Sequence, residues 1–523
     1  MLLVFYPVVM TSSLLKISCF VLLLFSLSCQ SQKTSSTEEL PLVLSIDPNQ
    51  SYQTIANFGA SDAWSCQFVG NWPDAKRNAM ADLLFSQELD NAGNPKGIGL
   101  SLWRFNLGAG SAEQGKQSGI RDPWRRAPTF WDGTGYDWNK LQGQVWFAQA
   151  AQERGADQLL MFLNSPPVHL TRNGKAYTSD KTQTNIAAEN YPAFASYLAD
   201  VVEGLRAKNL AVDYVSPFNE PQWDWSDGGQ EGNPYWNQDL FEITTAIDSV
   251  FQERKLKTTI DIAEAAQIDY LYKTGQKPGR GDQIKAFFSP DSPQYVGNLK
   301  SMGHAISGHS YFTTSPASVR VKKREQLHKK LDEVPDLDYW MSEYCILGDN
   351  AGEIEGDKRD LGMTSALYMA EVIHSDLVDA QASAWHWWTA ISAYDYKDGL
   401  IYIDKYEQDG NFYESKMLWV LGNYSRFIRP GFKRVAIGQR SGDKMEELKY
   451  SAYRSPDQSQ LVVVLINSSA EEKPLKIKLP ENTETQNWKT YTTSATENLN
   501  FKAIEEKEVV VPAESVMTVV IEN

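Results

Sequence analysis

The strongest constraint on the fold is a repeated alternation of short apolar runs with longer amphipathic stretches. Eight runs have the length and composition of strands, and a helical pattern follows each of them. Strands are predicted at 58–63, 100–107, 158–164, 212–219, 258–263, 305–312, 339–343 and 383–388. Helices are predicted at 74–87, 138–154, 191–208, 237–255, 284–302, 319–334, 360–377 and 412–427. This order predicts an α/β fold, a (β/α)8 TIM barrel. The alternative, a doubly wound open sheet, lacks support because no glycine-rich nucleotide fingerprint follows a predicted strand.

Near residue 429 the alternation of strands and helices gives way to short strand-like runs, which predicts a second domain. Short alternating strands are expected at 461–466, 475–479, 488–492, 509–511 and 516–521. They predict a β-sandwich at 429–523, following a catalytic barrel at 57–428. The segment 41–56 contains a strand at 42–46, which we expect to join the sandwich.

The N-terminal residues read as a targeting signal. Lys16 precedes an apolar run at 17–27, too short for a membrane-spanning helix, and Ser28 and Cys29 follow. Residues 1–29 therefore predict a lipoprotein signal with Cys29 lipidated, simple cleavage being the alternative, and 30–40 a linker. Met10 is an alternative start. We expect export across the inner membrane, with a lipid anchor on the bacterial outer membrane or a periplasmic location.

Charge and cysteine usage narrow the function class. A net charge of −16 argues against nucleic acid, which binds Lys and Arg clusters. In the predicted folded part only Cys66 and Cys345 remain besides Cys29, which excludes a disulfide scaffold or a structural zinc site. Six histidines without metal-ligand spacing predict neither a metal nor a cofactor. A polysaccharide or oligosaccharide substrate is easier to reconcile with this composition.

Two glutamates end predicted strands. Glu220 closes the fourth strand immediately before Pro221, and Glu343 closes the seventh. Because the strand ends of a barrel meet at one mouth, we expect the two carboxylates to face each other across a ligand. Retaining glycosidases need such a pair about 5 to 5.5 Å apart. The alternative is that Asn-Glu-Pro is only a turn with a solvated carboxylate.

Neighbouring polar residues suggest separate roles for the two glutamates. Arg104 ends the second strand and is expected to hold Glu343 ionised as the nucleophile, unless it forms a structural ion pair. Tyr311 is a second donor to that carboxylate. Asn219 suits a sugar hydroxyl, which leaves Glu220 as the acid/base. His309 is either a substrate contact or a satisfied core residue.

Tryptophans near strand ends are candidate sugar platforms, because flat aromatic faces suit pyranose rings. The candidates are Trp64, Trp223, Trp225, Trp385, Trp387 and Trp388, with packing around the barrel mouth as the alternative for each. Alternation places Trp385 and Trp387 on one face of the strand and Trp388 on the other.

Five ordered motifs resemble glycoside hydrolase family 30, over nearly all of 41–523. They are Asn-Phe-Gly-Ala-Ser-Asp at 57–62, Asn-Ser-Pro-Pro at 164–167, Phe-Asn-Glu-Pro at 218–221, His-Ser-Tyr at 309–311 and Ser-Glu-Tyr-Cys at 342–345. The resemblance implies a retaining β-glycosidase with Glu220 as acid/base and Glu343 as nucleophile. It also implies that Asp62, Asn219 and a strand-eight tryptophan line the sugar subsite.

A further motif bears on the substrate. Trp-Asp-Trp at 223–225, followed by Gly-Gln-Glu-Gly at 229–232, resembles the branch that cleaves β-1,6-linked galactan. The resemblance implies an endo-β-1,6-galactanase acting on arabinogalactan side chains. A β-1,6-glucanase, a xylanase and an exo-acting β-fucosidase or β-glucosidase are alternatives, as is a non-catalytic glycan-binding surface lipoprotein. Val168 and His169 depart from the family pattern after the double proline.

Overall fold

The computed structural model describes residues 42–439, 447–480, 487–504 and 508–522. The predicted signal at 1–29, the lipidated Cys29 and the linker at 30–40 lie outside them. Over the described ranges, every helix is too short or too polar to cross a bilayer.

Strands and helices are numbered in chain order. The strands are β1 (Leu42–Thr54), β2 (Asn57–Ser61), β3 (Leu102–Asn106), β4 (Gln158–Phe162), β5 (Tyr214–Ser216), β6 (Thr259–Ala265), β7 (Met302–His309), β8 (Asp338–Tyr344), β9 (Ala384–Ser392), β10 (Gly399–Ile403), β11 (Phe412–Glu414), β12 (Lys433–Gln439), β13 (Leu448–Arg454), β14 (Gln460–Asn467), β15 (Lys473–Lys478), β16 (Asn487–Thr493), β17 (Asn500–Ile504), β18 (Glu508–Val511) and β19 (Ser515–Glu522). The α-helices are α1 (Cys66–Val69), α2 (Asp74–Phe85), α3 (Ser111–Gln114), α4 (Gln142–Glu153), α5 (Tyr191–Ala207), α6 (Asn237–Glu253), α7 (Asp269–Tyr272), α8 (Gln283–Phe288), α9 (Ala317–Leu331), α10 (Met363–Val378) and α11 (Lys416–Ser425).

Strands β2 to β9 form a closed parallel barrel. Each pairs with the next along the chain, and β9 pairs with both β8 and β2, which closes the ring. Parallel strands need cover on both faces, and every residue of β2, β3 and β9 is buried. The predicted TIM barrel with a C-terminal β-sandwich is confirmed.

The helical layer follows the predicted periodicity, with one clear exception. In α6 the buried Leu240, Ile243 and Ile247 lie three or four positions apart, so one stripe faces the barrel. The helix predicted at 284–302 instead ends at Phe288. Pro290 follows two residues later, and a proline cannot continue the hydrogen-bonding pattern of a helix.

The C-terminal strands and β1 form a second sheet with its own core. The strand predicted at 42–46 is present and longer, pairing antiparallel with β12 and parallel with β15. Alternate residues of these strands, such as Leu44, Val463 and Val519, pack into a cluster separate from the barrel core. Strands β10 to β13 and β17 were not predicted from the sequence. Contacts from Asn423 of α11 to Tyr491 and Thr518 join this sheet to the barrel.

Candidate active site

Five ionisable side chains meet at the carboxyl end of the barrel. All are at most 7 % exposed, so each requires a partner to remain stable in this environment. They are Arg104 on β3, Glu220 after β5, Glu264 on β6, His309 on β7 and Glu343 on β8. This end of the strands is where barrel enzymes carry their chemistry.

Glu220 and Glu343 lie close together, as the sequence predicts. One carboxylate oxygen of each and a ring nitrogen of His309 all lie within 4.8 Å of one another. Inverting glycosidases separate their carboxyl groups by about 6.5 to 9.5 Å to admit a water molecule, whereas retaining ones need about 5 to 5.5 Å. The pair therefore has the close approach that a covalent intermediate requires.

Glu343 is held by two donors. Arg104 Nη1 lies 3.0 Å from Glu343 Oε2, and the Tyr311 hydroxyl lies 3.2 Å from Glu343 Oε1. Burial raises the pKa of Tyr311 well above its usual value, so the phenol keeps the proton that it donates. Both expected neighbours of Glu343 are thus in contact with it, and both favour its charged form.

His309 contacts carboxylates on both sides. Its Nδ1 is 3.1 Å from Glu220 Oε1 and its Nε2 is 2.6 Å from Glu264 Oε2. Burial alone would lower the pKa of His309, but the carboxylates of Glu343, Glu220 and Glu264 raise it to about 10. The side chain is 0 % exposed, and a charged imidazole donates from both nitrogens. Both ring nitrogens of His309 are thus engaged by carboxylates, which is the arrangement expected of a satisfied core residue.

Glu220 is the carboxyl group that tends to keep its proton. Burial raises its pKa, the hydrogen bond from His309 opposes this, and the charge of Glu343 adds to the rise. Two carboxyl groups this close resist joint ionisation, so one is protonated while the other is charged. An acid beside an ionised nucleophile is the division of roles that the sequence predicts.

Glu220, His309 and Glu343 also form, among the described residues, a compact cluster of groups that metals bind. A histidine that binds a metal must offer it an unprotonated ring nitrogen. His309 uses both nitrogens as donors to carboxylates. The donor set therefore does not fit a cation.

Amide groups with unused hydrogen-bonding capacity line the same region. Asn219 is 2 % exposed and its Oδ1 has no partner, while Asn164 has no partner for either amide atom. Buried polar atoms are rarely left unpaired, so these suit the hydroxyl groups of a ligand. Asp62 differs, because Asn106 N–H and Gln144 Nε2 already donate to its two oxygens. Burial raises the pKa of Asp62 to about 7.

The tryptophans of β9 lie on two faces of the strand, as alternation predicts. Trp385 and Trp387 are both 0 % exposed, and their indole N–H groups donate to Asp376 Oδ2 and Asp398 O. This burial corresponds to the alternative for these two residues, packing around the barrel mouth. Trp388 lies on the other face, as alternation requires, and meets Trp64 edge to face at 5.3 Å. Trp64 is 6 % exposed, and its Nε1 has no partner.

The Trp-Asp-Trp motif fixes the turn that carries Glu220. Trp223 N–H and Trp225 Nε1 both donate to the carbonyl oxygen of Glu220, at 3.0 and 3.1 Å. Glu220 itself has a left-handed backbone, with φ of 43°. A Cβ at Gly232 would collide with the Trp225 ring, so the glycine permits this packing. The motif therefore has a structural role in positioning the acid.

Sequence reasoning did not identify Glu264. It stands near the end of the fifth barrel strand, in an Ile-Ala-Glu-Ala context that matches those of the two predicted glutamates. A charged residue inside so apolar a run is a signal that the sequence contains. The proposed reaction needs one acid and one nucleophile, so the sequence alone gives no reason to assign a role to a third carboxylate.

Two family models match this chain. A family model described as O-Glycosyl hydrolase family 30 matches residues 41–402. The chain belongs to glycosyl hydrolase family 30. A second model, described as the family 30 beta sandwich domain, matches residues 433–519. The protein is therefore an O-glycosyl hydrolase with a family 30 barrel and sandwich, as the motifs indicated.

Relatives of this family 30 chain match it either over nearly its whole length or over a short segment. The crystal structure of a conserved exported protein from Bacteroides fragilis is 34 % identical, over 91 % of this chain and 100 % of that one, with a TM-score of 0.85. A solved endo-β-1,6-glucanase is 16 % identical over 93 % of this chain and 94 % of its own, with a TM-score of 0.66, which supports the fold alone. An exo-β-1,6-galactobiohydrolase from Bifidobacterium longum subsp. longum is 33 % identical over 115 residues. That match spans 20 % of this chain and 7 % of the relative.

Proposed function

We propose that this family 30 protein hydrolyses β-glycosidic bonds with retention, Glu343 being the nucleophile and Glu220 the acid/base. The observation that carries the proposal is the approach of their oxygens to within 4.8 Å, beside donors that favour the charged form of Glu343. So short a gap favours direct attack over an intervening water.

The reaction has two balanced steps. A Glu343 oxygen forms a bond to the anomeric carbon while the glycosidic C–O bond breaks, and Glu220 gives its proton to the departing oxygen. Water then attacks the glycosyl-enzyme. Glu220 takes a proton from this water, the C–O bond to Glu343 breaks, and both glutamates return to their starting states. Asn219 is expected to bind the hydroxyl beside the reacting carbon.

The proposed substrate is β-1,6-linked galactan in the side chains of arabinogalactan, cleaved within the chain. The support is the Trp-Asp-Trp motif and the local similarity to a protein named as an exo-β-1,6-galactobiohydrolase. The name of that relative also favours a second candidate, release of disaccharide from chain ends.

A panel of defined glycans tests this proposal. We expect incubation with β-1,6-galactan to release oligosaccharides of several lengths from the earliest time, and β-1,6-glucan and xylan to remain intact. Disaccharide alone at that stage would favour the second candidate. Cleavage of glucan or xylan without cleavage of galactan would contradict the proposed substrate, and no cleavage of any glycan would favour a binding protein.

Phe312 is a candidate platform for the sugar that leaves. It is 55 % exposed, has a left-handed backbone (φ 57°), and meets Trp223 edge to face at 6.3 Å, beside the Glu220 turn. An exposed aromatic in a strained conformation suggests a function. Replacing Phe312 by alanine is expected to cost about 1 kcal/mol of glycan binding, a roughly fivefold rise in KM for oligosaccharides. KM for a glycosyl fluoride, whose leaving group has no ring to stack on Phe312, should not change.

Tyr406 provides the matched control for this substitution. It is also an exposed aromatic, at 65 %, but lies on the loop between β10 and β11. Tyr406→Ala is expected to leave KM for oligosaccharides unchanged. Equal effects of the two substitutions would show that Phe312 has no special contact with the leaving sugar.

We also propose that the protein is exported and lipid-anchored through Cys29. Cys29→Ser is expected to abolish incorporation of labelled palmitate in a bacterial host and to release the protein from the membrane fraction. Ser31→Ala serves as the control and should keep both. Labelling that persists in the Cys29 variant would contradict the proposed anchor.

A further inference from the structure

A third carboxylate lies behind the two reacting ones. Glu264 is 1 % exposed and takes a left-handed backbone, with φ of 50°. Its main-chain carbonyl accepts the N–H of Glu220, at 2.9 Å. It has no exposed surface for substrate, so any part in the reaction acts through its neighbours.

The two oxygens of Glu264 accept hydrogen bonds from four barrel strands. Oε1 accepts from Arg104 Nη2 at 3.4 Å and from Ser216 Oγ at 3.0 Å. Oε2 accepts from His309 Nε2 at 2.6 Å and from Ser342 Oγ at 2.8 Å. A carboxylate with four donors is held in one orientation and in its charged form.

Two of these donors also reach the reacting carboxylates. Arg104 also donates from Nη1 to Glu343 Oε2, and the second ring nitrogen of His309, Nδ1, contacts Glu220 Oε1. A single residue therefore separates Glu264 from each reacting carboxylate: Arg104 from Glu343 and His309 from Glu220.

We propose that Glu264 is a positioning residue that holds Arg104 against Glu343 and His309 against Glu220 in the resting enzyme. The inference rests on the roles proposed above for those two glutamates. It goes beyond them in assigning the orientation of their two cationic neighbours to a group that touches neither the substrate nor the side chains of Glu220 and Glu343.

Directions of the pKa values are consistent with this role. Burial alone would raise the pKa of Glu264, but Arg104 and His309 lower it well below its usual range. Burial and the charge of Glu264 raise the pKa of Asp261 to about 8, and burial lowers that of His386 to about 3. The titratable and charged groups around Glu264 are Arg104 on β3, Glu220 after β5, Asp261 on β6, His309 on β7, Glu343 on β8 and His386 on β9. Among them, His309 makes the shortest hydrogen bond to Glu264, at 2.6 Å.

Glu264→Gln tests the proposal without removing the hydrogen-bonding shape. Loss of the negative charge is expected to lower the pKa of the His309 imidazolium by about 1 to 3 units. Nitrogen-15 NMR of the full-length protein reports this directly and needs no substrate. We also expect kcat to fall by about 10²-fold with KM nearly unchanged.

Two further variants make the result decisive. Glu264→Asp keeps the charge but shortens the side chain, so His309 should stay protonated as in the wild type while kcat falls. Glu231→Gln is the matched control. That glutamate is 0 % exposed and accepts the N–H groups of Ala109 and Ser111, away from Arg104 and His309. It should leave the titration of His309 unchanged.

The outcomes separate this inference from the proposed function. An imidazolium that persists to the same pH in the wild type and in Glu264→Gln would overturn the role of Glu264, whatever the substrate is. A shifted His309 titration in a protein that cleaves no glycan would support Glu264 and leave the proposed function to fail by itself.

Discussion

Replacing Glu343 by alanine is expected to lower kcat by roughly 10⁵-fold or more, because no other group can form the covalent intermediate. The protein should still fold. Removing one partner of a buried ion pair normally costs about 3 to 5 kcal/mol, but Arg104 retains Glu264 as its counterion. Steady-state kinetics on an aryl β-glycoside and thermal unfolding of the same sample measure the two effects.

Azide gives this prediction a positive control. A small anion can enter the space left by the Glu343 carboxylate and attack the anomeric carbon from the same side. The Glu343→Ala variant should therefore yield an α-glycosyl azide from an activated aryl β-glycoside. Wild-type rates in the variant, or a β-glycosyl azide, would exclude Glu343 as the nucleophile.

Replacing Glu220 by alanine is expected to produce the second largest effect, and one that depends on the leaving group. Hydrolysis of a glycan should slow by about 10³- to 10⁴-fold, since a sugar alkoxide needs the proton of Glu220. A dinitrophenyl glycoside leaves without assistance, so its first step should be nearly unaffected. Pre-steady-state measurement should then show a burst of dinitrophenol followed by slow turnover.

The same azide experiment distinguishes the two glutamates. In Glu220→Ala, azide replaces water in the second step and attacks the intermediate from the face opposite Glu343. The product should be a β-glycosyl azide, the anomer opposite to that from Glu343→Ala. Equal losses for activated and unactivated substrates would mean that Glu220 is not the acid.

Glu220 and Glu343 could be predicted because their signals are local. Each ends an apolar run, and barrel topology brings all such ends to one mouth. Arg104 and Tyr311 followed from the same rule. The contacts of His309 could not be predicted, because one of its partners, Glu264, lies 45 residues away in sequence. Contacts between strands that are distant in sequence leave no periodic trace in either strand.

The tryptophans show a different limit. Alternation correctly separates Trp385 and Trp387 from Trp388, but it does not say which face points into the barrel mouth. The pairings of β9 with β2 and β8 contain register irregularities near these residues. Orientation at that point is decided by tertiary packing against α10, where Asp376 accepts the Trp385 indole N–H.

The sandwich was predicted less completely than the barrel. Strand β14 is a continuous apolar run and was found, whereas β13 is interrupted by Lys449 and Ser451. Its partners on both sides supply the backbone hydrogen bonds that its weak pattern did not reveal. In the barrel, the helix predicted at 284–302 was too long because its apolar residues outweighed Pro290 in the pattern.

Proton NMR of the first sugar released tests the two-step account most directly. Spectra recorded within the first minutes, before the anomers equilibrate, should show the β-anomer of the new reducing end, which means net retention. An α-anomer as the first product would indicate a single displacement by water. It would contradict a covalent Glu343 intermediate and with it the roles assigned around the barrel mouth.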